Sequence, residues 1–182
     1  MSRAVRLSVI FYVPMLAGGF FLRPPGVLRV EQWERFGWGL AMAAGASAAV
    51  IALSRWTGRH SGWGRALRNE FRAVLGPLNS TEILWLALLS AFGEEILFRG
   101  IVQSWAGLWA AAALFAAFHF PYRRAMLPWT AFALAMGIGL GLLTEWAGSL
   151  WPAIWVHFCV NYFNLHDIAG DGPEEPAPLG RG

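Results

Sequence analysis

The chain has 182 residues, a length that suits one domain. With 57% hydrophobic and only 14% charged residues and a mean hydropathy of +0.46, it is too apolar for an ordinary water-soluble globule. All fourteen basic residues are arginines lying mostly between apolar runs, where they set membrane topology, so the +3 net charge does not point to nucleic acid.

The expected fold is all-α, a polytopic membrane protein of about six transmembrane helices. Eleven Trp and thirteen Phe suit segment ends that lie in a lipid interface. A single cysteine, Cys159, excludes an internal disulfide and a cysteine metal cage.

The first apolar run, Leu7 to Leu22, follows Arg3 and Arg6 like a signal peptide, but no small-x-small cleavage pattern follows it. Arg23-Pro-Pro-Gly26 reads as a turn, which makes the run an uncleaved first span. The second run is Phe36 to Leu53. Gly37, Ala41, Gly45 and Ala49 recur every four residues and predict a small-residue face for close helix packing.

From Ser54 to Thr81 the chain is more polar, with five arginines against one acid, Glu70. Trp63, Leu67, Phe71 and Val74 share a helical face, which predicts an amphipathic helix on the membrane surface.

The third run, Ile83 to Val102, is twenty residues, enough to cross a bilayer. Glu94, Glu95 and Arg99 sit in its middle. A charge at that depth costs at least ~2.5–3.5 kcal/mol, so three together imply partners and a task. The fourth run, Trp105 to Phe120, ends in His119-Phe120-Pro121, where Pro121, Arg123 and Arg124 mark an exit. The fifth, Met126 to Thr144, carries Ala133, Gly137 and Gly141 on one face, again a packing stripe. The sixth, Leu150 to Ile168, contains His157 and Asn161.

These runs make residues 1–168 one transmembrane domain with a motif-bearing core at 81–168. The tail, 169–182, is too poor in apolar residues to fold. The arginines favour a cytoplasmic N-terminus.

Helical geometry divides the polar residues by role. Glu95 and Arg99 are four apart and can pair. Glu94, rotated about 100° from Glu95, is left free to take a proton from water. His157 and Asn161 are also four apart and can both donate toward one point, as a developing oxyanion requires. Phe115 lies one turn before His119 on the same side. Polar clusters on three runs predict one site buried between the last four helices, because lipid-facing positions are costly. One tension follows from the run boundaries. Glu94 and His157 fall near mid-membrane and His119 at a span end, so either that helix continues past Phe120 or the site opens toward the cytoplasm.

These residues resemble the CPBP group of intramembrane endopeptidases, which includes CAAX prenyl proteases and Abi-type proteins. Glu94-Glu-Ile-Leu-Phe-Arg99 is similar to its EExxxR motif, Phe115-Ala-Ala-Phe-His119 to FxxxH, and His157-Phe-Cys-Val-Asn161 to HxxxN. The resemblance spans about Thr81 to Asp167. It implies a glutamate-type protease without a cofactor, in which Glu94 and His119 activate water. His157 and Asn161 would stabilise the oxyanion, and Arg99, paired with Glu95, would hold the carboxylates. The implied substrate is a membrane-anchored protein or peptide carrying a C-terminal sorting or CAAX-like signal.

Two alternatives stay open on the residues. A zinc-dependent form would use Glu94, His119 and His157 as ligands with Glu95 as base. A non-catalytic reading is a bacteriocin-immunity or peptide-binding membrane protein, or a proton-coupled carrier. The absence of a convincing internal repeat weighs against the carrier.

Overall fold

The computed structural model describes residues 2–120 and 127–170. All regular structure among them is helical: α1 (Arg3–Leu22), α2 (Trp33–His60), α3 (Gly62–Leu75), α4 (Ser80–Glu95), a π-helical turn (Ile96–Val102), α5 (Gln103–Phe118), α6 (Leu127–Ala147) and α7 (Trp151–Gly170). The all-α polytopic expectation therefore holds. The exit at Pro121, Arg123 and Arg124, the start of the fifth run at Met126, and tail residues 171–182 lie outside the described residues. Ala169 and Gly170, expected in the tail, close α7.

Among the described residues, four helical stretches are both long and apolar enough to cross a membrane: α1, α2, the continuous stretch Ser80–Phe118, and α6. Helix α7 matches them in length, but its histidines, asparagines and Asp167 make it less apolar. The stretch Ser80–Phe118 is not one straight rod. Gly107 has φ 83° and ψ 169°, a backbone region that only glycine occupies without strain. The chain reverses there, so Phe98 meets Phe115 edge to face at 5.1 Å and Phe118 at 5.5 Å. Residues 108–118 form a return arm of roughly 16 Å, about half of a ~30 Å hydrocarbon core. The expected fourth span is thus shorter than a full crossing.

That reversal removes the tension over depth. Glu94 lies thirteen residues before Gly107 and His119 twelve after it, so a hairpin brings them level. The helix does not continue past Phe120; it ends at Phe118, with His119 as its C-cap.

Helices α1 and α4 start at the same end of the molecule. Asn79 and Glu82 cap α4 reciprocally, and the Ser2 N–H donates to the Glu82 carboxylate. At the other end the α1–α2 connection is bound to the start of α7. Leu150 N donates to Val27 O at 3.0 Å and Trp151 Nε1 to Leu28 O at 2.9 Å. Leu16, Val27, Leu28 and Phe92 pack there around Ile96, Leu150 and Ile154.

A second cluster, Ala43, Leu140, Leu143, Ala153, Val156 and Val160, joins α2, α6 and α7. The buried residues of α2 on this side are Gly39, Ala43 and Ser47, and Val50 and Ile51 pack against the cluster as well. Gly37, Ala41, Gly45 and Ala49, the expected stripe, are exposed. Two interleaved stripes of period four exist on this helix, and the buried one is offset by two residues.

On α6 the expected stripe is the packed one. Ala133, Gly137 and Gly141 are buried, and a Cβ on Gly137 would lie 3.1 Å from Ala112 Cα. The amphipathic helix α3 forms as expected, and it also seats on neighbours. Phe71 meets Trp129 at 5.0 Å, and Arg72 Nε donates to Ile168 O at 3.0 Å.

Candidate active site

Five of the six expected site residues converge between α4, the π-helical turn, the return arm and α7. The innermost is Glu95, with no exposed surface. Its Oε1 accepts from Arg99 Nη1 at 3.0 Å and pairs with His157 Nδ1 at 2.7 Å. A carboxylate only accepts, so Nδ1 of His157 carries the hydrogen. Glu95 is therefore both the partner of the buried guanidinium and the group that orients the imidazole.

Arg99 sits on the π-helical turn, a feature common at functional sites and invisible in a uniformly apolar sequence. Its second nitrogen, Nη2, donates to Gly137 O at 3.3 Å, and its guanidinium lies 4.4 Å from the Phe115 ring centroid. The small residues of α6 thus serve two ends. They let the helices approach, and they leave a backbone carbonyl open to the guanidinium. One turn further, Gln103 Nε2 donates to Gly141 O at 3.1 Å and to Glu145 Oε1 at 2.9 Å. Two successive rungs therefore fasten this edge of the site to α6.

Glu94 faces away from the clamp, as its rotation from Glu95 requires. Its Oε2 lies 3.6 Å from His119 Nε2 and 3.8 Å from His157 Nε2, and makes no hydrogen bond although it is buried. His119 Nδ1 lies 2.7 Å from Phe115 O. A carbonyl cannot donate, so Nδ1 carries the hydrogen and neutral His119 presents a lone pair at Nε2. The His119 ring is further held against Phe115 at 4.4 Å and Trp129 at 4.8 Å, and Thr130 Oγ1 donates to its carbonyl at 2.7 Å.

The other oxygen, Glu94 Oε1, accepts from the Tyr12 hydroxyl at 2.5 Å. Tyr12 belongs to α1, so the polar centre is not confined to the last four helices. Sequence reasoning missed it. The available signal was a lone tyrosine among Phe, Val and Ile in an apolar run, because a membrane-embedded hydroxyl needs a partner.

Asn161 is set apart from the carboxylates. It lies on the same face of α7 as His157, but its Nδ2 donates to Ser90 Oγ at 2.9 Å. His157 Nδ1 is directed to Glu95, so these two donor bonds do not meet at one point as expected. What remains for an incoming group is the second hydrogen of Asn161 Nδ2 and the Nε2 edge of His157.

Glu94, His119 and His157 are donor types that zinc accepts. Among the described residues, however, no group of three or more His, Cys, Asp or Glu side chains is disposed to hold a metal ion. In this arrangement Glu95, the base of the zinc alternative, is already bonded to Arg99 and His157.

Comparison with known proteins decides the family. The family model described as "Type II CAAX prenyl endopeptidase Rce1-like" matches residues 77–163. The uncharacterized protein YpbD of Bacillus subtilis (strain 168) is 32% identical over 161 residues, covering 84% of this chain and 81% of that protein. The chain belongs to the Rce1-like, CPBP-type family of intramembrane peptidases. All six expected residues, from Glu94 to Asn161, fall inside the segment matched to the Rce1-like family, whereas Tyr12 falls outside it. No solved structure matches the chain.

Proposed function

We propose that this Rce1-like protein hydrolyses a peptide bond of a membrane-associated protein or peptide, using water activated by Glu94 and His119. One observation carries the reading. Glu94 Oε2, buried and without a hydrogen bond, faces His119 Nε2 at 3.6 Å, and in the neutral imidazole both atoms are acceptors. Two facing lone pairs are unfavourable unless hydrogens lie between them. A water donating to both supplies those hydrogens and turns its own lone pair toward the substrate.

The attack forms a C–O bond at the peptide carbonyl as Glu94 takes a proton from the water. The peptide C–N bond then breaks, and that proton leaves with the amine. Asn161 supplies a donor for the carbonyl oxygen. His157 adds a second when Nε2 is also protonated. Zinc has no part in this scheme. Metal analysis should find none bound, and activity should survive a chelator; about one zinc per chain would overturn that part.

The substrate class proposed is a C-terminal sorting or CAAX-like signal presented at a bacterial inner membrane. The arginine distribution supports a cytoplasmic N-terminus. The test is cleavage of candidate membrane peptides by the purified protein and by Glu94→Gln and His119→Ala. Turnover should fall by at least about a hundredfold in each. Undiminished turnover in both would sink the assignment.

A further inference from the structure

We infer that Tyr12, on a helix outside the segment matched to the family, is a positioning residue for Glu94. The inference rests on the reading of Glu94 as the base. A carboxylate on a long side chain has two equivalent oxygens and free rotation about its last bond. For Glu94 to face His119 with a chosen oxygen, something must hold the other. The Tyr12 hydroxyl does so, donating to Oε1 at 2.5 Å and leaving Oε2 toward both imidazoles.

The approach of α1 is itself built for this contact. The residue before the two glutamates is Gly93, and a Cβ there would lie 2.9 Å from Tyr12 Cδ1 and 3.0 Å from Met15 Cε. Real Cβ atoms essentially never stand under 3.0 Å from a neighbour, so any larger residue at 93 displaces the tyrosine ring. One turn of α4 thus carries both the carboxylate and the gap that admits its donor. Gly19 makes the corresponding close approach further along α1, where a Cβ would lie 2.7 Å from Ile96 Cγ2. Helix α1 is therefore seated along this edge, and the Tyr12 hydroxyl is directed at Glu94 rather than left to find a partner.

Tyr12→Phe separates hydroxyl from ring. The ring still fills the space over Gly93, so a merely structural role predicts unchanged turnover. The positioning role predicts that kcat falls on the order of 10- to 100-fold, the usual worth of a hydrogen bond to a charged group, with KM within about twofold. Gly93→Ala should reproduce that kcat loss by pushing the tyrosine away. Infrared difference spectra of the full-length protein in lipid discs give a readout independent of turnover. Tyr12→Phe should shift one carboxyl band, and the shift should vanish in a Glu94→Gln background. Wild-type kcat in Tyr12→Phe, or a band shift that persists without Glu94, overturns the inference. Retained turnover in Glu94→Gln would instead overturn the base assignment, and the band shift would still report whether Tyr12 holds that carboxylate.

Discussion

His157 and Arg99 share one oxygen: Glu95 Oε1 pairs with the imidazole Nδ1 at 2.7 Å and accepts from the guanidinium at 3.0 Å. A single carboxylate thus joins the π-helical turn to α7 in a place without exposed surface. Its removal uncouples two helices as well as two side chains. Breaking a buried ion pair from one side leaves an uncompensated charge, at a cost of about 3–5 kcal/mol. Arg99→Met should therefore lower thermal stability in detergent sharply. Arg99→Met combined with Glu95→Gln should recover part of the loss, and equal stability of the single and double variants would contradict the shared clamp.

The reversal at Gly107 makes a second prediction. An L-residue at φ 83° and ψ 169° is strained by about 1–3 kcal/mol. Gly107→Ala should destabilise by about that amount. Gly139→Ala, where a Cβ meets nothing within 4 Å, should be neutral or slightly stabilising. Unfolding midpoints of the two variants in the same detergent make the comparison. Because the hairpin sets His119 level with Glu94, Gly107→Ala should also lose more activity than Gly139→Ala.

The two stripes of α2 and α6 are distinguished by alanine. Gly137→Ala forces a methyl against the Ala112 backbone and displaces the carbonyl that accepts from Arg99, an overpacking cost of about 1–3 kcal/mol. Gly45→Ala places its methyl in open space and should leave both stability and turnover unchanged. Thermal unfolding with a parallel peptide-cleavage assay would show whether the order is as stated.

Asn161 and Ser90 test the oxyanion assignment. If Asn161 donates to the carbonyl oxygen, Asn161→Ala should lower kcat by about 10²–10³-fold. Ser90→Ala removes only the hydroxyl that accepts from Asn161 Nδ2 at 2.9 Å, and should lower kcat less than about tenfold. Equal losses in the two variants would mean that Asn161 acts only through its bond to Ser90.

Much of this arrangement was readable in advance, and the exceptions have physical reasons. Charges in an apolar run must find partners, so Glu95 with Arg99 followed from spacing alone, and so did the orientation of Glu94 away from them. The packing face of α6 was legible because Ala133, Gly137 and Gly141 form one stripe of small residues. On α2 the alternative stripe through Gly39, Ala43 and Ser47 has the same period, and periodicity cannot choose between two faces that differ by two residues. The π-helical turn adds no polar signature to a segment that is apolar almost all round. Tyr12 contacts a residue 82 positions away, and no local pattern encodes that distance. The half-length of the return arm was hidden because Trp105 to Phe120 is apolar enough to read as a span, and hydropathy does not register a single reversed glycine.

That return arm also constrains what can be cut. Glu94 lies about 21 Å along the stretch that begins at Ser80 and about 20 Å short of the reversal, hence near the middle of a helical arm longer than a ~30 Å core. A substrate that crosses this region as an intact helix has every carbonyl committed to the amide four residues on, with none free to receive a nucleophile. With Glu94 as the proposed base, cleavage at this depth would select for segments that unravel easily, such as those with helix-breaking residues or a chain end near the scissile bond. On this view the protease discriminates by the local melting of its substrate as much as by the side chains that flank the cut.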